Sequence, residues 1–112
     1  MKIGLYFGTF NPIHIGHLII ADHILNTEII NKLWFVVSPQ NPFKKNVSLL
    51  NEYDRLHMVK KATEDDNRIK VSDIEFHLPR PSYTIDTLIY LKEKYSEHFF
   101  YIIMGSDSFQ NS

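Results

Sequence analysis

Residues 8–17 read Gly-Thr-Phe-Asn-Pro-Ile-His-Ile-Gly-His, a stretch that gathers two glycines, a proline and two imidazoles. His14 and His17 stand three positions apart. An imidazole titrates near pKa ~6.5 in water, so it can carry charge or donate a neutral N–H to an anion. Gly8 lets the main chain approach a ligand closely, and the N–H groups of Thr9 and Phe10 can point into the same cleft. With Gly16 between them, both imidazoles and the backbone can lie against one phosphate. Phosphoryl and nucleotidyl transfer suit such a site, because they ask for positioning and for positive charge on oxygens that grow more negative in the transition state. Two other readings stay open on these residues alone. His17 can be a packed helix residue with His14 a turn residue, or His-x-x-His can be half of a metal site. The metal reading has little behind it, since no acidic residue falls inside the spacing and His57, His77 and His98 are scattered.

The elements around this stretch explain how it is held. Residues 2–7 are short and apolar and end at Gly8, which predicts a buried strand. Gly16 to about Thr27 carries Leu18, Ala21, Ile24 and Leu25 at helical spacing. The histidines therefore fall at a strand-to-helix turn, where main-chain N–H groups and the positive end of a helix face bound phosphates. Leu33–Val37 reads as a second strand buried on both faces. Asn51 is a candidate N-cap for a helix through Thr63 with Leu56, Val59 and Ala62 facing inward. The alternation from Ile69 to Ile74 predicts a third strand. Leu78-Pro79-Arg80-Pro81 must be extended or turning. Ser82 or Thr84 is placed to cap a third helix carrying Ile85, Leu88, Ile89 and Leu91. Phe99–Met104 is a fourth apolar strand, closed by Gly105-Ser106-Asp107-Ser108. Alternating strands and helices call for right-handed crossovers and a parallel sheet. Ligands of such sheets sit beyond the carboxyl ends of strands, where the winding reverses. If the first and fourth strands are neighbours there, their two glycine-bearing turns line one pocket. A fourth strand near the end of the sequence, with no helix to cover it, predicts an incomplete sheet edge.

Composition bounds the reading further. The 112 residues suffice for one small domain, with 44% hydrophobic and 22% charged residues, ordinary globular values. A formal net charge of -1 gives no global reason to expect nucleic-acid binding. The Lys44-Lys45 and Lys60-Lys61 pairs read as solvated faces. The absence of cysteine excludes disulfides, thiolate zinc sites and a cysteine nucleophile. With no signal-peptide pattern and no segment of membrane-spanning length, a soluble cytoplasmic protein is expected.

The string from Gly8 to Leu18 resembles the signature of the HIGH-motif nucleotidyltransferases, and within that superfamily it looks like the bacterial nicotinate-nucleotide adenylyltransferases. Arg55 and Met58 match an R-x-x-M helix, and Ser82-Tyr83-Thr84 with Thr87-Leu88 match an S-Y-T-x-x-T-L element. Gly105-Ser106-Asp107-Ser108 matches a G-x-D-S turn. The resemblance implies a Rossmann-like open parallel α/β sheet with helices on both faces. It also implies adenylyl transfer from ATP to nicotinate mononucleotide, giving nicotinate adenine dinucleotide and pyrophosphate. By motif position, His17 contacts the α-phosphate, and His14 and Lys44 assist on the phosphates. Backbone groups of Gly8, Thr9 and Phe10 line the dinucleotide site. Tyr83 and Thr84 approach the nicotinate end, while Gly105 and Asp107 hold the adenosine ribose. Mg²⁺ accompanies ATP, no protein metal site is implied, and a homo-oligomer is compatible with the family.

The sequence also departs from the family pattern. Asn11 stands where Asp is common, and Phe43 where a histidine often precedes the lysine. An I-S-x-T-x-[IV]-R motif, whose hydroxyls and arginine bind ATP phosphates in the family, is absent. Residues 1–112 thus read as a single nucleotidyltransferase domain cut before its fifth strand. The alternatives are the same chemistry on nicotinamide mononucleotide or a phosphopantetheine, and a non-catalytic nucleotide-binding fragment.

Overall fold

The computed structural model describes residues 1–39, 51–79 and 83–103. Four strands form one sheet: β1 (Lys2–Gly8), β2 (Lys32–Val37), β3 (Ile69–Ser72) and β4 (Phe99–Ile103). The helices are α1 (Ile15–Asn26), α2 (Glu52–Thr63) and α3 (Thr84–Lys94), with a 3₁₀ turn at Ile74–Phe76. The strand order is β3-β2-β1-β4, and all three pairings are parallel. The chain moves outward from β1 through β2 to β3, then returns across the sheet to set β4 on the other side of β1. The winding therefore reverses between β1 and β4, which meets the condition under which the turns after these two strands fall on one side of the sheet. The reversal also distributes the helices. Ala21 and Leu25 of α1 and Leu56 and Val59 of α2 pack on one face with Tyr6, Leu33, Phe35 and Val37. Leu91 of α3 packs on the other with Ile3, Leu5, Trp34 and Val36.

β2 is the buried centre of this arrangement: Leu33, Trp34, Phe35, Val36 and Val37 are all buried, as a strand covered on both faces must be. At Gly4 of β1, an added Cβ would lie 2.6 Å from Ile30 Cδ1 and 2.8 Å from Ile103 Cδ1, so these side-chain ends close over the bare glycine. β4 contrasts with both, since Phe99, Tyr101 and Ile102 remain exposed among the described residues.

Three local expectations are corrected. β3 ends at Ser72, because Asp73 leads into the 3₁₀ turn and the segment from Asp73 leaves the ladder. In α2, Thr63 rather than Ala62 is buried; its hydroxyl donates to the Val59 carbonyl at 2.8 Å and so needs no water. In α3 the N-cap is Tyr83, so neither Ser82 nor Thr84 occupies that position. Ser82 lies outside the described residues, and Thr84 is already the first helical residue. The Asp86 carboxylate accepts from the Tyr83 N–H at 3.2 Å, the N3-to-N-cap half of a capping box.

Candidate active site

The turn after β1 is built by ring packing. Phe10 takes φ 49, in the left-handed region that bulky residues avoid, and its ring is 3% exposed. That ring meets Tyr6 at 5.6 Å, Phe35 at 5.2 Å and His17 at 5.0 Å, each edge to face. It also explains Gly8, where a Cβ would meet the same ring at 3.1 Å. The Gly8 carbonyl accepts from the Ser38 N–H at 2.8 Å, which aligns the exits of β1 and β2.

The two histidines then start α1 by capping it. His14 is the N-cap, and its Nδ1 accepts from the Gly16 N–H at 3.1 Å. His17, three residues on, returns the bond: its Nδ1 accepts from the His14 N–H at 3.0 Å. This is a capping box in which imidazoles replace the usual hydroxyl and carboxylate, so the i, i+3 spacing serves helix initiation. The rings stack with centroids 3.8 Å apart. Gly16 leaves room for the His14 ring, which a Cβ there would meet at 2.8 Å. With Nδ1 of each ring accepting a backbone N–H, Nε2 is the ring nitrogen left to donate. The α1 first turn contains no acidic residue, whereas α2 begins with Glu52 and Asp54 and α3 has Asp86. Its helix dipole is thus left to act on an external anion. His17 is 7% exposed and packed, whereas His14 is exposed.

Arg55 of α2 is the arginine of the R-x-x-M match. It is 1% exposed, and Nη1 donates to the carbonyls of Thr9 and Ser38, both at 2.7 Å, while Nη2 donates to that of Pro39 at 2.6 Å. One guanidinium so joins the turns after β1 and β2, a task for a planar fork with several donors. Burial lowers its pKa, and the nearby Glu52 charge works against that.

Glu75, on the 3₁₀ turn, was not singled out by sequence. Its Oε1 accepts from Ser38 Oγ and its Oε2 from Thr87 Oγ1, both at 2.7 Å. Burial raises its pKa, and these two hydrogen bonds pull the other way. The only sequence trace of this contact was Thr87, within the S-Y-T-x-x-T-L match.

Of the residues expected in the site, Gly8, Thr9, Phe10, His14 and His17 converge on the β1–α1 turn. Tyr83 and Thr84 begin α3 and are exposed. Because every strand is parallel, the exits of β1, β2 and β4 open on one edge, with Gly8 opposite Val37 and Tyr6 opposite Ile103. Lys44, Gly105 and Asp107 lie outside the described residues. Among the described residues, no helix is long and apolar enough to cross a membrane.

The comparisons agree with this geometry. A probable nicotinate-nucleotide adenylyltransferase of Flavobacterium johnsoniae is 59% identical over 108 residues, and one of Cytophaga hutchinsonii is 56% identical over 108. Each match takes in 96% of this chain and 56% of the relative, so the chain spans little more than half the length of these curated relatives. Plasmodium falciparum nicotinic acid mononucleotide adenylyltransferase complexed with NaAD superposes with a TM-score of 0.79 at 28% identity, over 95% of this chain and 52% of that one. The same enzyme complexed with APC gives 0.76 at 28% identity, over 95% and 51%. The model of the cytidylyltransferase-like family matches residues 5–112. With that match, and with paired imidazoles capping the first helix at the reversal of a parallel sheet, the chain belongs to the cytidylyltransferase-like family.

Proposed function

We propose that this chain supplies the catalytic half-site for adenylyl transfer from ATP to nicotinate mononucleotide. In this reading a phosphate oxygen of the mononucleotide attacks the α-phosphorus of ATP. The new P–O bond forms as the bond to the bridging oxygen breaks, and pyrophosphate leaves. The protein contributes position and charge stabilisation without a covalent intermediate. His17 Nε2–H donates to the α-phosphate and His14 assists, while Gly8, Thr9 and Phe10 line the cleft. Lys44 reaches the phosphates, Tyr83 and Thr84 meet the nicotinate ring, and Gly105 and Asp107 hold the ribose. ATP enters as its Mg²⁺ complex, with phosphate oxygens and water as the ion's ligands.

The observation that carries the proposal is the stacked imidazole pair, each ring held by its Nδ1 at the uncompensated N-terminus of α1. The relatives' names support the acceptor. Pyrophosphate release tests it, measured on this chain and on a chimera that adds the remaining part of a curated relative. Nicotinate mononucleotide, nicotinamide mononucleotide and phosphopantetheine serve as acceptors. Release with nicotinate mononucleotide is expected from the chimera. Release only with another acceptor overturns the substrate, and nucleotide binding with no release from either protein overturns the catalytic reading in favour of a binding fragment.

A further inference from the structure

The proposed chemistry gives Glu75 no role, yet this carboxylate is 4% exposed in the middle of the molecule. A charge there is expensive to bury, and a well-packed apolar residue would serve stability at least as well. What Glu75 provides is a junction. Thr87 Oγ1 donates to Oε2, Ser38 Oγ donates to Oε1, and the Ser38 carbonyl accepts from Arg55 Nη1, which also donates to the Thr9 carbonyl. Every one of these four contacts is 2.7 Å long, so an unbroken hydrogen-bonded line runs from α3 to the β1 turn. Thr87 lies one helical turn after Thr84, and the Asp86 carboxylate fixes the Tyr83 N–H, so displacing Thr87 displaces the start of α3 with it.

We infer that Glu75 is a positioning residue that sets the spacing between the α3 N-terminus and the phosphate-binding turn, through Thr87 on one side and Ser38 and Arg55 on the other. The inference rests on the proposed function for what the spacing is used for, because a dinucleotide must meet both ends at once whereas ATP alone meets the phosphate turn. The line itself exists whatever the ligand.

Thr87→Val removes the donated hydroxyl at constant shape, and Thr87→Ser restores it. Amide hydrogen exchange on this chain reads the coupling. In Thr87→Val, exchange is expected to rise at least tenfold at Ser38 and across residues 9–14, while Leu5 and Phe35 in the sheet centre stay unchanged and Thr87→Ser returns the wild-type rates. Leu91→Ala, a packing lesion on the same helix, is expected to leave residues 9–14 unaffected. Exchange changes confined to α3, failure of Thr87→Ser to rescue, or an equal spread from Leu91→Ala overturns the inference. Should Thr87→Val not fold, Glu75→Gln carries the same comparison. Calorimetric titration adds a readout that packing alone would not split: Thr87→Val weakens nicotinate adenine dinucleotide binding at least tenfold and ATP binding less than twofold, and equal weakening of both overturns the inference. A wild-type chain that binds neither nucleotide counts against the proposed function, and the exchange experiment then decides the inference alone.

Discussion

The two ends of the proposed nucleotide path are assembled by opposite means. At the β1–α1 turn, the polar contacts that orient the imidazoles join residues two or three positions apart: Gly16 to His14 and His14 to His17. At the α3 end, the orienting contact joins Thr87 to Glu75, and from there the bonds reach Ser38, Arg55 and Thr9 across up to 46 positions. A local device keeps its geometry as long as its helix forms. A long-range device depends on the whole sheet, and a single lost partner leaves several buried groups unsatisfied. The chemistry-bearing rings are thus on the robust part, while the spacing to the rest of the path is on the cooperative part.

Substitutions at each end test this division. The largest expected effect is Arg55→Ala, which strips partners from the buried carbonyl of Pro39 and the half-buried ones of Thr9 and Ser38 and leaves a void. A loss of roughly 3–5 kcal/mol in denaturant unfolding is expected, and a loss under about 1 kcal/mol would show that the long-range end is not cooperative. His17→Ala comes next. Removing one oriented donor should lower adenylyl transfer by about 10²–10³-fold in an active chimera, and a change below tenfold removes His17 from the charge-stabilising role.

Gly16→Ala sharpens the comparison, because the local end separates stability from activity. Alanine favours the helix by about 0.5–1 kcal/mol, yet its Cβ displaces the His14 ring. The displaced cap costs about as much as the helix preference gains, so thermal stability should change little while turnover falls about 10-fold or more; parallel losses would mean that the ring position is structural only. The smallest effect is a pH slope. Burial raises the Glu75 pKa above its unfolded value, so the folded state binds this proton more tightly. Any stabilisation from protonated Glu75 is fully present below the ordinary glutamate value and is lost as pH rises through the native one. The melting temperature of the wild type relative to Glu75→Gln should therefore decline across that window, and a flat difference would contradict the shift.

Legibility followed the same division. The strand ending at Gly8, the helix beginning beside His14 and the Asn51 cap, which accepts from Tyr53 N–H at 2.8 Å, were all readable because each depends on neighbours in sequence. The ordered motifs pointed to the family for the same reason. Even so, the reciprocal bonds of His14 and His17 escaped notice, since capping boxes are sought with hydroxyls and carboxylates. The partners of Arg55 were not legible, because only the fold tells which carbonyls lie within reach of a helical arginine. Glu75 offered no pattern at all. The expected strand to Ile74 stops one residue short of it, and its partners are 37 and 12 positions away.

The order of strands and helices, the positions of the turns, and the pairing of two imidazoles with a glycine between them follow from the amino-acid sequence alone, because short-range sterics and hydrogen bonding decide them. The sheet reversal beside β1, the burial of Arg55 and Glu75, and the line of bonds that spaces one end of the site from the other exist only in the assembled molecule. Buried polar groups must find partners wherever the packed chain presents them, and sequence distance places no constraint on where that is.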